Sequence, residues 1–153
     1  MVTRRSAGIL LFRRTPDGPE VLLGHMGGPF WAHRDAGAWS VPKGEYGDDE
    51  TPWDAARREF QEELGLPAPA GAPLSLGEVV QSGGKHVTVW AVEGDLDPAD
   101  VVPGTFTMEW PRGSGRTAEL PELDRAAWFG LDAARAVIVQ AQAAFLVRLA
   151  DQV

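Results

Sequence analysis

The sequence predicts a single α/β domain in which a mixed β-sheet is covered by helices on both faces. Three observations carry this. Strand-like segments alternate with one amphipathic helix in mid-chain and a second at the end, an order that layers helices on a sheet. At 153 residues the chain has the length of one domain and can bury roughly two thirds of its unfolded surface. No repeat, low-complexity tract or linker divides it, so residues 1–153 are read as one unit.

Apolar residues in Ser6 to Phe12 and Glu20 to Leu23 predict two strands, and Thr15-Pro16-Asp17-Gly18 between them predicts a hairpin turn. Gly27 to Gly37 is a Gly-rich, aromatic-bearing loop, followed by a short strand at Trp39 to Val41 that runs into Pro42-Lys43-Gly44. A helix starts at Thr51, because Thr caps, Pro52 suits the first helical position and Asp54 complements the positive helix end. It runs to about Leu64, where Gly65 provides a C-terminal cap and Pro67 prevents continuation. Further strands are expected at Leu74 to Gln81, His86 to Glu93, Phe106 to Trp110 and Ala126 to Phe129. A single last helix is expected from about Leu131 to Leu149, with Ala134, Ile138, Ala141, Phe145 and Leu149 at helical spacing.

Composition narrows the function classes. Hydrophobic residues make up 44% and charged residues 24%, ordinary globular values, and no apolar run approaches the ~20 residues of a membrane-spanning helix. No membrane partner is expected. Met1 to Arg5 is basic but is followed by no signal-peptide cleavage pattern, so the expected location is the cytoplasm. The absence of cysteine excludes disulfides, thiolate metal sites and cysteine nucleophiles. A net charge of −8 argues against a nucleic-acid polymer as partner. A small anion remains open to an acidic protein when a divalent cation supplies the local positive charge.

Glu59, Glu62 and Glu63 stand at i, i+3 and i+4, within about 100° of one another on one helical face. Trp53, Ala56, Phe60 and Leu64 fall on the neighbouring, core-facing stripe. Like charges at these spacings cost a few tenths of a kcal/mol per pair, about the same again for opposing the helix macrodipole. Stability does not choose this arrangement, whereas a hard cation does: clustered carboxylate oxygens suit Mg²⁺, with Mn²⁺ as the alternative. For an isolated Glu-x-x-Glu-Glu the competing reading is a solvated acidic face.

The surroundings decide between them. Gly44, Glu50, Arg58-Glu59-Phe60, Glu62-Glu63 and Gly65-Leu66 follow one another at the spacings of the complete Nudix box, and the chain resembles the Nudix hydrolase family at every position of it. Accident would produce this at on the order of one start point in a billion. The resemblance extends through the preceding Trp39-Ser40-Val41-Pro42-Lys43-Gly44-Glu45 and the later Trp128-Phe129. It implies an α/β/α sandwich around a mixed sheet, and hydrolysis of a phosphoanhydride bond in a nucleoside diphosphate derivative, with nucleoside triphosphates or dinucleoside polyphosphates first. By the same resemblance Glu59, Glu62 and Glu63 hold the metal, and Glu50 and Arg58 support them by an Arg–carboxylate contact. A metal-bound water then attacks phosphorus, its proton going to Glu62, Glu63 or a loop acid.

A further ligand in this family often lies in a loop just before a Trp-containing strand. Glu122, six residues before Trp128, has that spacing, with Glu119 as the alternative and Glu93 and Glu109 behind it. Lys43 in Pro-Lys-Gly resembles the branch that includes dinucleoside polyphosphate and diphosphoinositol hydrolases, where a lysine meets phosphate as a point charge. Lys85, with His86, is a second basic candidate for the substrate. His25, Phe30, Trp31 and Arg34, in or beside the glycine-rich loop, offer aromatic stacking for a base and an Arg contact for phosphate. Arg112 and Arg116 could reach a long polyphosphate. Tyr46, the chain's one tyrosine, lies inside the motif, whereas some dinucleoside polyphosphate enzymes use a tyrosine well beyond it. The resemblance also leaves open a homodimer, and a second reading: a Nudix-fold domain that senses a nucleotide without cutting it.

Overall fold

The computed structural model describes residues 3–153; Met1 and Val2, the start of the basic Met1–Arg5 segment, lie outside the described residues. The fold is the α/β/α sandwich with a mixed sheet that the resemblance implied. Strands β1 (Arg5–Thr15) and β2 (Gly18–Met26) form the expected hairpin, Thr15 pairing with Gly18. On its other edge β1 runs parallel to β6 (His86–Glu93), from Arg5↔His86 to Phe12↔Glu93, and β6 pairs antiparallel with β5 (Leu74–Val80). The antiparallel strand β9 (Leu123–Gly130) lies along β2.

The sheet is split at the Pro42-Lys43-Gly44 segment. β1 pairs with β2 only from Phe12 onward, and the open gap is filled by β3 (Trp39–Ser40), bound to Gly24 and His25 of β2, and β4 (Lys43–Glu45), bound to Ser6–Gly8 of β1. The Pro42-Lys43-Gly44 turn is thereby held inside the sheet. Gly8 permits this, since a Cβ there would stand 2.5 Å from the Pro42 carbonyl oxygen.

Successive residues of β1 face opposite layers, as a strand's two-residue period requires. Ala7, Ile9 and Leu11 pack with Ala55, Ala56, Phe60 and Leu64 of helix α1 (Pro52–Leu64). Leu10 and Phe12 pack on the other face with Ala134 of α2 (Leu131–Val137) and Phe145, Leu146 and Leu149 of α3 (Ala143–Ala150). Burying each Leu or Phe contributes ~1.5–3 kcal/mol, so the central strand is fixed from both sides.

Two expectations are corrected. The last helix is not continuous: Ile138 and Val139 leave the helical region, a single 3₁₀ turn spans Gln140–Gln142, and α3 starts afresh. The β-branched run Val137-Ile138-Val139 favours extended backbone. Ile138 bridges Trp39, Val139 N–H donates to the Trp39 carbonyl, and the buried Gln142 side chain accepts from the Val41 N–H and donates to Ser40 Oγ. The break therefore supplies the missing edge partner of β3. The strand expected at Phe106–Trp110 is β7 (Thr105–Glu109), but it pairs only with an unforeseen β8 (Thr117–Pro121), forming a separate two-stranded sheet. No helix among the described residues is long and apolar enough to cross a membrane.

Candidate active site

Helix α1 is delimited by its own chemistry. Thr51 Oγ accepts from the Asp54 N–H at 3.2 Å, Pro52 fills the first turn, and Gly65 ends the helix with φ 70° while its N–H donates to Gln61 O. A side chain at Gly65 would also meet the Val102 carbonyl at 2.6 Å. With Phe60 and Leu64 buried, Glu59 and Glu63 are carried to the sheet beside β4 and are themselves only 8% and 7% exposed.

Glu63 Oε2 accepts the backbone N–H of Lys43 at 3.0 Å. Glu59 packs its carboxyl against Gly44 so closely that a Cβ at Gly44 would overlap it. Arg58 organises the outer side: it grips Glu50 with Nε at 3.0 Å and Nη2 at 2.5 Å, and its Nη1 donates to Glu59 at 2.8 Å and to Glu62 at 3.1 Å. The Glu50–Arg58 pair thus ties the loop before the helix to the carboxylate face, and holds Glu50 below the usual carboxylate range.

Glu59, Glu63 and Glu122 line one cavity of about 400 Å³ together with Ser6, Lys43 and Lys85. Burial raises Glu63 to about 8, with Glu59 and Glu122 adding repulsion against the attraction of Lys43. Glu59 is raised by burial in the same way, although Arg58 counteracts it. Lys43 is lowered by burial and by the neighbouring Lys85. Both signs of charge are thus disfavoured by desolvation, and the carboxylates are under-compensated. Ser6 Oγ, buried at the head of β1, has no hydrogen-bond partner among the described residues. Two buried carboxylates, the exposed Glu122 beside them and a hydroxyl without a partner among the described residues, all around one cavity, fit a hard cation and a phosphate in chemistry. Among the described residues no three His, Asp or Glu side chains converge on a single ligand geometry, because Glu59 and Glu62 are turned onto Arg58. Holding a cation therefore means exchanging contacts with the guanidinium for contacts with the metal.

The other sequence candidates fall elsewhere. Glu62 lies outside the cavity lining, its side chain 56% exposed and held by Arg58. His25 is fully buried: Nδ1 faces Asp124 at 2.9 Å, Nε2 faces the Arg34 carbonyl at 2.6 Å, and the ring meets Trp39 edge-on. Both ring nitrogens are taken by protein oxygens, so His25 ties the glycine-rich loop to β9 instead of reaching a cavity. Arg34 stacks over Phe30 at 4.2 Å, and Trp31 meets Phe30 edge-on. Glu119 is exposed on β8, Glu93 pairs with Arg14, and Glu109 accepts the N–H groups of Gly113 and Gly115. Sequence reasoning passed over Ser6, Glu45 and Asp124. Only Ser6 had a local signal, as a polar residue opening an apolar strand.

The family model of the NUDIX domain matches residues 2–149. The chain belongs to the NUDIX family. It is 36% identical over 123 residues to proteins of two Mycobacterium tuberculosis strains named "Putative 8-oxo-dGTP diphosphatase 3", a match covering 76% of this chain and 55% of theirs. The chain thus spans about half the length of the curated relatives it matches. An Ap4A hydrolase from C. elegans shares the fold with a TM-score of 0.66 at 19% identity, covering 97% of this chain and 96% of that one. The Nudix hydrolase RenU from M. smegmatis has a TM-score of 0.58 at 26% identity, with 98% and 85% covered.

Proposed function

We propose that this NUDIX protein is a Mg²⁺-dependent pyrophosphohydrolase acting on a nucleoside diphosphate derivative, with nucleoside triphosphates or dinucleoside polyphosphates as its substrates. The observation that carries the reading is the cavity in which Glu59, Glu63 and Glu122 face Lys43 and Lys85 on a complete family motif. The name of the curated relatives, "Putative 8-oxo-dGTP diphosphatase 3", supports the nucleoside triphosphate version of this reading.

Glu59, Glu63 and Glu122, with Glu62 turning in from the rim, would hold Mg²⁺ or Mn²⁺. The ion would neutralise phosphate oxygens and acidify a bound water. The chain's own residues do the rest. Lys43 and Lys85 present two ammonium groups to the phosphates, and Ser6 Oγ offers one donor to a phosphate oxygen. Arg58, gripped by Glu50, keeps Glu59 and Glu62 in register. The water's proton would go to Glu63, to a loop acid or to Glu62, which is half-exposed and held by Arg58. The whole chain is one NUDIX domain in this reading, its partner is a small nucleotide, and its place is the cytoplasm.

Purified protein should be assayed against nucleoside triphosphates including 8-oxo-dGTP, dinucleoside polyphosphates, ADP-ribose, nucleotide sugars and diphosphoinositols, with and without Mg²⁺, beside the Glu62→Gln/Glu63→Gln double variant. Turnover of one class that needs both metal and carboxylates is the expected result. Tight nucleotide binding without cleavage anywhere in the panel would replace the hydrolase by a sensor.

A further inference from the structure

The buried side-chain amide of Gln142, in the 3₁₀ turn between α2 and α3, joins the two segments that carry the lysines of the carboxylate cavity. On one side its Oε1 accepts the Val41 N–H at 2.9 Å and its Nε2 donates to Ser40 Oγ at 3.0 Å, just ahead of Lys43. On the other side Nε2 donates to Gln81 Oε1 at 2.9 Å. Gln81 opens the turn between β5 and β6 that ends in Lys85, and its N–H donates to the Lys85 carbonyl at 2.8 Å. We propose that Gln142 is a positioning residue for the two lysines: through Val41 and Gln81 it holds Lys43 and Lys85 at a fixed spacing toward the phosphates of the substrate. The inference rests on the hydrolase reading for the role of the lysines.

Hydrogen-bond chemistry allows this network one orientation. A backbone N–H can only donate, so Val41 must face the Gln142 oxygen and the amide nitrogen must face the other way. Both hydrogens of that nitrogen are then used, on Ser40 and on Gln81, and Gln81 has to present its oxygen. The Ser40 hydroxyl keeps its own hydrogen for the Val41 carbonyl at 2.8 Å. The turn needs such a brace. Gly83 and Gly84 both have positive φ, 87° and 81°, with open space where a side chain would stand, so neither steric restriction nor packing fixes them. A cavity of about 350 Å³ opens between Gln81-Ser82 and Val139-Gln140-Ala141, which leaves the turn little packing against the α2–α3 break. Lys85 Nζ stands 4.0 Å from Glu45, beyond hydrogen-bonding distance, while Glu45 is itself gripped by Arg4. The two ammonium groups also repel each other: Lys43, lowered chiefly by burial, is lowered further by Lys85. The Gln142 amide therefore opposes a separation that charge and backbone freedom both favour.

The test separates positioning from mere support of the fold. Calorimetry with inorganic pyrophosphate and Mg²⁺ compares the wild type, Lys85→Ala, Gln81→Met, Gln142→Met and the Gln81→Met/Lys85→Ala double variant. Methionine keeps the length of glutamine and removes its hydrogen bonds. Lys85→Ala should weaken pyrophosphate binding about 10-fold, and Gln81→Met and Gln142→Met about 3–10-fold each. In the Lys85→Ala background Gln81→Met should add less than about 2-fold, because that lysine carries its effect. For a nucleotide that the substrate panel shows to be hydrolysed, Gln81→Met and Gln142→Met should raise KM by the same factors and move kcat less than about 2-fold. Wild-type pyrophosphate affinity in both glutamine variants, or a Gln81→Met effect that is equal with and without Lys85, overturns the proposal. Gln81→Met, at a half-buried hairpin position, decides this even where Gln142→Met does not fold. Binding indifferent to Lys85→Ala removes the phosphate role of that lysine and the positioning role with it. Lysine-dependent binding without hydrolysis of any nucleotide would remove the hydrolase and leave the positioning role standing.

Discussion

The carboxyl group of Glu59 occupies the space in which a side chain on Gly44 would have to sit. The motif's first glycine and its first helical carboxylate are thus two halves of one contact. A Gly44→Ala chain is expected to fold, because β4 contributes little to either core, but with Glu59 displaced. Mg²⁺ affinity and kcat/KM should each fall about 10–100-fold, the range for disturbed metal-supporting contacts. Metal titration beside steady-state kinetics checks this, and wild-type affinity in Gly44→Ala would refute it.

Glu63 makes the metal-free protein pH-sensitive. Its carboxyl is pushed from its ordinary 4.5 up to about 8 by burial, so the folded state holds this proton where the unfolded state has released it. The folded state binds more protons in that window, and stability must fall as pH rises from about 4.5 to about 8. Lys43, lowered by burial, acts in the opposite sense at more alkaline pH. Thermal melts across this range in EDTA should show the decline, and saturating Mg²⁺ or Glu63→Gln should flatten it. Metal binding near neutral pH should release protons, measurable by calorimetry in buffers of different ionisation enthalpy.

Arg58 neutralises three carboxylates at once, and no lysine can reproduce its fork. Arg58→Ala and Arg58→Lys are both expected to lower stability by about 1–2 kcal/mol, read from urea unfolding of the metal-free protein. Saturating Mg²⁺ should narrow the deficit, because the ion then compensates Glu59 and Glu62. A deficit unchanged by metal would show that Arg58 does not share its partners with a cation.

Ser6 is expected to behave in the reverse way. Its buried hydroxyl has no partner among the described residues, so Ser6→Ala removes an unsatisfied group, which is worth up to ~1–3 kcal/mol, and should leave the melting temperature unchanged or higher. The same substitution should raise KM several-fold for a phosphate-bearing substrate. Destabilisation with unaltered KM would mean that the hydroxyl serves only the fold.

Local chemistry made half of this molecule legible in advance. Thr51, Pro52 and Gly65 delimit α1 by capping and backbone geometry alone, and the 15–18 turn follows from Pro16, Asp17 and Gly18 in the same way. Glu59, Glu62 and Glu63 stood out because helix spacing puts them on one face. What escaped depends on distant residues. Ile138 keeps helical periodicity in sequence, yet it and Val139 pair with Trp39, about a hundred positions away. His25 reads as a substrate-facing residue until Asp124, 99 residues on, and the Arg34 carbonyl take both of its nitrogens. The strand at 117–121 exists only because β7 pairs with it.

The separate β7–β8 sheet springs from Gly104 and Glu122. These two residues are hydrogen-bonded to each other, so the excursion from 105 to 121 is closed at its base, while Phe106 and Met108 also border the glycine-rich loop. It shares no ladder with the seven-stranded sheet. The closed base holds Glu122 in the lining of the carboxylate cavity. A change at the hairpin tip, between β7 and β8, therefore need not move the candidate metal site.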